Sequence, residues 1–270
     1  MKKNVIYSFV FLLTIFIYPY LSNAQSPYEK SFKKDGLILS CGTGLAIASE
    51  ILNRSVESLT LTKINSLSKY DINRFDRSAV SNYSPQFGHV SDILLGACVL
   101  SPVTLLLDDE MWEDKNTILL MHFESMLLTG FLTRLIKTSG RIRPFLYNPD
   151  VTLNKKHGLR NEAKDSFPSG HTSLSFASAV LLSKVFCDFH PDSKYKPYVW
   201  AGSLSVASLV GYLRYASGVH FPTDILTGAV LGSAIGYLIP HLHKKKTANN
   251  LSIGPAYKSE QIQMAITFTF

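Results

Sequence analysis

The apolar positions of this chain come in blocks rather than in alternation. A first block covers residues 5–18 and a second, with Gly42, Gly44 and Glu50 inside it, covers 36–52. Five more follow at 93–107, 118–136, 172–186, 199–215 and 225–239. None keeps the period-2 alternation of a half-buried strand, so helix is the expected state of each. Their lengths lie between a buried core helix and a membrane crossing, which takes about 20 apolar residues. Residues 93–107 and 225–239 carry no charge, whereas 172–186 holds several serines and Lys184. The pattern predicts an all-α helical bundle of five to six core helices, transmembrane rather than soluble, with a soluble bundle as the alternative.

The polar stretches divide the chain. Residues 53–90 are mixed and end in Asn82-Tyr83-Ser84-Pro85, a turn signature. Between the later blocks the links are acidic (Asp108 to Asp114), basic (Lys137 to Lys164), short (188–197) and basic again (His241 to Lys246). Residues 261–270 alternate in part and end in Thr-Phe-Thr-Phe; a terminal hairpin is one reading, and a loosely packed tail is the preferred one. At the other end, Lys2 and Lys3 precede the first apolar block, and Ser22-Asn23-Ala24 follows it, which reads as a signal peptide cut after Ala24. The expected organisation is therefore a leader at 1–24, an N-terminal segment with one short apolar helix at 25–90, a catalytic helical domain at 91–243 and a tail at 244–270.

Composition refines this picture. Charged residues make up 17% of the 270, below the usual quarter of a soluble protein, and the net charge is +7. A basic balance suits anionic partners or the Lys- and Arg-rich loops of a membrane protein. The basic residues sit in loops that flank the apolar blocks, so no nucleic-acid partner is expected. Cys41, Cys98 and Cys187 lie alone in separate apolar runs, which argues against a zinc site or a disulfide framework.

Three segments carry chemistry. Arg141-Ile142-Arg143-Pro144 follows the 118–136 block. Pro168-Ser169-Gly170-His171-Thr172 opens the next one. The third runs from Arg214 through His220 to Asp224. A Ser-Gly-His sequence entering an apolar run is a helix start, where outward N–H groups and the helix dipole favour an anion. Arg143 and Arg214 present planar forks that match phosphate oxygens. His171 and His220 can divide acid and nucleophile roles near neutral pH. Asp224, four residues after His220, can hold one ring nitrogen so that the other is free to react. Taken singly, each of these residues has an ordinary structural explanation; jointly they converge on one side of a bundle.

The three segments resemble the signature of the type 2 phosphatidic acid phosphatase superfamily, which includes lipid phosphatases, bacterial acid phosphatases and vanadium haloperoxidases. That pattern is K-x6-R-P, P-S-G-H and S-R-x5-H-x3-D. Residues 168–171 match in full, Arg214, His220 and Asp224 match in spacing, and Arg143-Pro144 matches the end of the first motif. The resemblance spans roughly residues 90–240. Two departures stand out: the lysine position holds Ile136, with Lys137 one place nearer Arg143 and Arg134 as another candidate, and Leu213 replaces the serine before Arg214. The resemblance implies that Arg143, Arg214 and Lys137, with Ser169 and the backbone N–H of Gly170, bind the phosphoryl group. It further implies that His220 attacks phosphorus, that His171 protonates the leaving oxygen, and that neither a metal nor a cofactor takes part. The implied substrate is a phosphorylated lipid: phosphatidate, phosphatidylglycerol phosphate, lipid A or undecaprenyl pyrophosphate. A broad-specificity soluble acid phosphatase, a vanadate-dependent haloperoxidase and a non-enzymatic lipid-binding protein are the competing readings. With the leader cut and 36–52 lying along the interface, the site is expected outside the cytoplasmic membrane of a bacterial envelope and His241 to Lys246 inside; if 36–52 spans, the site turns to the cytoplasm and the basic tail goes outside.

Overall fold

The computed structural model describes residues 26–54, 56, 59–158, 163–245, 250–258 and 261–269. The expected leader lies outside the described residues. Six long helices form the body: α1 (Phe32–Asn53), α2 (Pro85–Leu100, extended by a 3-10 stretch over Ser101–Leu107), α3 (Lys115–Lys137), α4 (Gly170–Phe189), α5 (Lys196–Ala216) and α6 (Pro222–His243). Their starts follow local chemistry. The hydroxyls of Ser31, Ser84 and Ser169 accept backbone N–H groups of the first turns of α1, α2 and α4. Pro85, Pro197 and Pro222 sit where a missing N–H costs nothing. Five of the six helices (all but α5) are long and apolar enough to cross a membrane. The all-α bundle read from the apolar blocks is the architecture observed.

Helix α6 packs on α4 through a stripe of small residues. Gly228, Gly232 and Gly236 recur every four positions and are all buried. A Cβ at Gly228 would lie 2.7 Å from the Ser169 carbonyl oxygen, and Cβ atoms at Gly232 and Gly236 would run into the Ser173 and Ala177 carbonyls. The two backbones therefore touch, a close approach that only glycine permits. This contact delivers the start of α6 to the start of α4: Ser169 N donates to the Asp224 carbonyl at 3.0 Å.

Two expectations change. Residues 36–52 do not behave as an interfacial segment. They belong to a 22-residue helix, about 33 Å long, that runs upright beside α3. Near one end Arg134 donates to Glu50 at 3.0 Å, and at the other Asp35 Oδ1 lies 3.2 Å from His243 Nε2. Gly42 makes room between them for the Leu127 side chain. The tail also differs: Asn250–Lys258 pairs antiparallel with Gln261–Thr269. The alternation of Ile262, Met264, Ile266 and Phe268 was the signal, and their register partners are Tyr257, Pro255, Ile253 and Leu251.

The upright α1 has a consequence for topology. Both ends of the bundle, Tyr28 and Lys244, meet in a β-bridge at the end of α6 opposite Asp224. The motif end thus lies across the bundle from both termini of the helical body.

Candidate active site

All three motif segments meet at one end of the bundle. Phe145 N donates to the Gly218 carbonyl at 2.9 Å, joining the Arg143 segment to the His220 loop, and Arg143 N donates to Ala163 O at 2.9 Å. Gly218 has φ of +75° and its Cβ position is filled by the Asn82 carbonyl, so the turn before His220 requires glycine.

His220 is buried, with 1% of its surface exposed. Its Nδ1 lies 2.7 Å from the Ser166 carbonyl oxygen. A carbonyl can only accept, so Nδ1 carries the proton and Nε2, on the far side of the ring, keeps its lone pair. Burial pushes the His220 pKa well below its ordinary value, and the positive charges of Lys137, Arg143 and Arg214 push it further. The ring is thus neutral at neutral pH and remains so into mild acid. The acid limb of kcat/KM, corrected for the substrate's own phosphate ionisation near about 6, is expected below the ~6.5 of a free imidazole. A pH–rate profile over the acid range checks this; a limb above 6.5 would contradict it.

Asp224 does not make the direct bond to His220 that its spacing suggested. Its Oδ2 lies 3.7 Å from Nδ1 and instead accepts from Ser166 Oγ at 2.6 Å and Phe221 N at 2.8 Å, while Oδ1 takes Arg141. Ser166 is the link: its hydroxyl is held by Asp224 and its carbonyl holds the imidazole. Arg141 also donates to Thr223 and Asp76, each at 2.7 Å, and the Thr223 hydroxyl and backbone N–H bond Asp76.

Lys137 reaches the site despite its one-place shift. Its Nζ donates to the Asp165 carbonyl, and its Cε would lie 3.8 Å from a Cβ on Gly170. Arg134, the other candidate, is turned away toward Glu50. Ser169 is fully buried and caps α4 while accepting from the Thr172 hydroxyl at 2.8 Å, which leaves its own proton available to a ligand. Arg214 is nearly buried and donates to Ser91 Oγ at 3.1 Å and Asp92 Oδ1 at 3.2 Å. Ser91 thus supplies a hydroxyl beside Arg214, where Leu213 offers none. Asp92 Oδ1 also lies 2.7 Å from His171 Nε2, so one carboxylate bridges the expected acid and an expected phosphate-binding arginine.

Asp92, Arg141, Ser166, Asp76 and Thr223 were not foreseen. Asp92 sits at the head of an apolar run, where an acid reads as an ordinary first-turn residue. Arg141 lay in view, two residues before Arg143. Nothing in one sequence marks Ser166, which acts partly through its backbone.

The PAP2 superfamily model matches residues 118–248, which contain the whole constellation apart from Ser91, Asp92 and Asp76. Over those residues the chain carries a PAP2 superfamily domain. A relative named undecaprenyl-diphosphatase, from Sulfolobus acidocaldarius, is 29% identical over 166 residues, covering 61% of this chain and 69% of that protein. Lipid A 4'-phosphatase of Porphyromonas gingivalis is 35% identical over 102 residues, covering 37% of this chain and only 39% of that protein. A crystal structure of a transmembrane PAP2-type phosphatidylglycerolphosphate phosphatase from Bacillus subtilis is 22% identical, with a TM-score of 0.46 over 74% of this chain and 94% of that one. As a PAP2-type phosphatase the chain is a phosphoric ester hydrolase of a family that acts on lipid phosphates, and it is a membrane protein.

Proposed function

We propose that this PAP2 phosphatase removes a terminal phosphate from a membrane lipid through a phosphohistidine on His220, with no metal in the reacting site. The observation that carries this reading is the neutral His220 ring, its proton fixed on Nδ1 by Ser166 and its surroundings made cationic by Lys137, Arg143 and Arg214. The Nε2 lone pair attacks phosphorus and the bond to the lipid oxygen breaks. His171 gives that oxygen its proton, then takes one from the water that releases phosphate and restores His220. Fixed positive charge from Lys137, Arg143 and Arg214, with the hydroxyl of Ser169 and the Gly170 N–H, stabilises the equatorial oxygens. Asp92 orients His171, and Asp224 acts through Ser166 as a positioning group.

A lipid substrate is favoured by a cleft of about 400 Å³ between α2, α4 and α5, lined by Ala97, Cys98, Ala179, Leu182, Val199 and Val206 among others. Ala179 lies eight residues along α4 from His171, and Val206 eight along α5 from Arg214, about 12 Å in each case. An acyl or isoprenyl chain seated there would leave its head group at the motifs. Phosphate release by the detergent-solubilised protein in EDTA, on phosphatidate, phosphatidylglycerol phosphate, lipid A and undecaprenyl pyrophosphate, is expected to exceed release from water-soluble esters at least tenfold for one of them. Equal turnover of water-soluble esters would favour a broad acid phosphatase instead.

The site is proposed to face the exterior of a bacterial envelope, with Lys244–Lys246 in the cytoplasm. Given the upright α1, Ser26 then also starts inside, and the leader is not cleaved. A reporter active only in the cytoplasm, fused after Phe270, is expected to be active; an inactive cytoplasmic reporter beside an active export reporter would turn the site inward.

A further inference from the structure

At the end of the bundle far from His220, three groups of metal-ligand type face one another. Asp35 near the start of α1, Glu124 in α3 and His243 at the end of α6 are at most 1% exposed. Their ligand-type atoms all lie within 4.8 Å of one another. His243 Nε2 is 3.2 Å from Asp35 Oδ1 and 3.4 Å from Glu124 Oε2. His243 Nδ1 lies 2.9 Å from the Ile239 carbonyl and must donate to it, so whenever the ring is neutral its Nε2 lone pair faces the two carboxylates. Asp35 is fixed from outside, since its Oδ2 accepts from Ser31 N at 3.0 Å. The remaining atoms, Asp35 Oδ1, both Glu124 oxygens and His243 Nε2, have no hydrogen-bond partner. Two carboxylates and an imidazole lone pair buried together demand a cation.

We infer that Asp35, Glu124 and His243 bind a divalent transition-metal ion of the zinc or manganese class, which fastens α1 to α3 and α6. The donor set of one imidazole nitrogen and two carboxylate oxygens suits these ions. Two ligands about 2.0–2.1 Å from a tetrahedral ion stand roughly 3.4 Å apart, close to the two separations above. The Nδ1–H to carbonyl bond is the outer contact that fixes a metal-binding histidine's tautomer. Asp224 and His243 are nineteen residues apart on one helix, roughly 28 Å, so the ion takes no part in the chemistry at His220. Metal content and turnover are therefore separate readouts.

The test uses the full chain in detergent, stripped with a strong chelator and then titrated with Zn²⁺ or Mn²⁺, with metal content by mass spectrometry and melting followed in parallel. One equivalent is expected to bind and to raise Tm by several degrees. Glu124→Gln, which keeps the side chain's shape, is expected to fold, to lose at least tenfold in metal affinity and to lose the Tm shift; His243→Gln is expected to do the same. Failure of the wild type to retain or rebind metal would overturn the proposal and leave a proton shared by His243 and the carboxylates as the buried cation. Undiminished metal binding in both variants would equally overturn it.

Discussion

His220→Asn is expected to lower phosphate release by on the order of 10⁴-fold or more, because the group that bonds to phosphorus is gone. The asparagine amide can still donate to the Ser166 carbonyl that now holds Nδ1, so the loop should stay folded. The loss is expected in kcat with KM little changed, since Arg143, Arg214 and Lys137 remain to bind the phosphoryl group. His220→Ala should lose as much activity and, by vacating a buried position, some stability as well. A variant melting within a few degrees of wild type while retaining a tenth of its turnover would contradict the assignment.

Arg141→Ala carries the largest expected effect on stability. Arg141 lies between Asp76 and Asp224, both fully buried, and donates to each. Burial alone would raise the Asp76 pKa, but hydrogen bonds from the Thr223 backbone, Asn73, the Thr223 hydroxyl and Arg141 outweigh it and hold the carboxyl below its ordinary value. Asp76 is therefore an anion at neutral pH. Its contribution is present above the unfolded value of about 3.9 and lost only as pH falls through the lower folded value. Removing the guanidinium leaves buried negative charge uncompensated, at a cost of about 3–5 kcal/mol. Thermal and denaturant melts in detergent check this. Arg141→Lys should recover only part, because one ammonium cannot span both carboxylates as a planar fork does. Adding Asp76→Asn to Arg141→Ala should recover stability, since it removes one of the stranded charges. Activity should fall with Arg141→Ala even where the protein remains folded, through the path from Asp224 to Ser166 to His220.

The sequence made the helices legible because none of the apolar blocks keeps the two-residue alternation of a strand. It also brought the three motifs together, because all three sit at block ends that an up-and-down bundle places on one side. Its failures have specific causes. The four-residue spacing of His220 and Asp224 suggested a direct bond, but Phe221 N and Ser166 Oγ capture the carboxylate first. Ile136 stands at the lysine position, and Lys137, the residue the sequence offered in its place, closes the last turn of α3 and reaches Asp165 beside Gly170. The block at 36–52 is short, and the basic His241 to Lys246 favoured laying it along the interface. Its Gly42 and Glu50 are the contacts that fit it to Leu127 and Arg134, and such pairings are invisible along a single chain.

His220 is proposed to carry the phosphoryl group during turnover. Brief reaction with a substrate labelled in its terminal phosphate, quenched in base and digested for mass spectrometry, tests it most directly. A phosphate is expected on His220, stable in base, labile in acid and missing from His220→Asn. A label on another residue, or equal labelling of the variant, would contradict it.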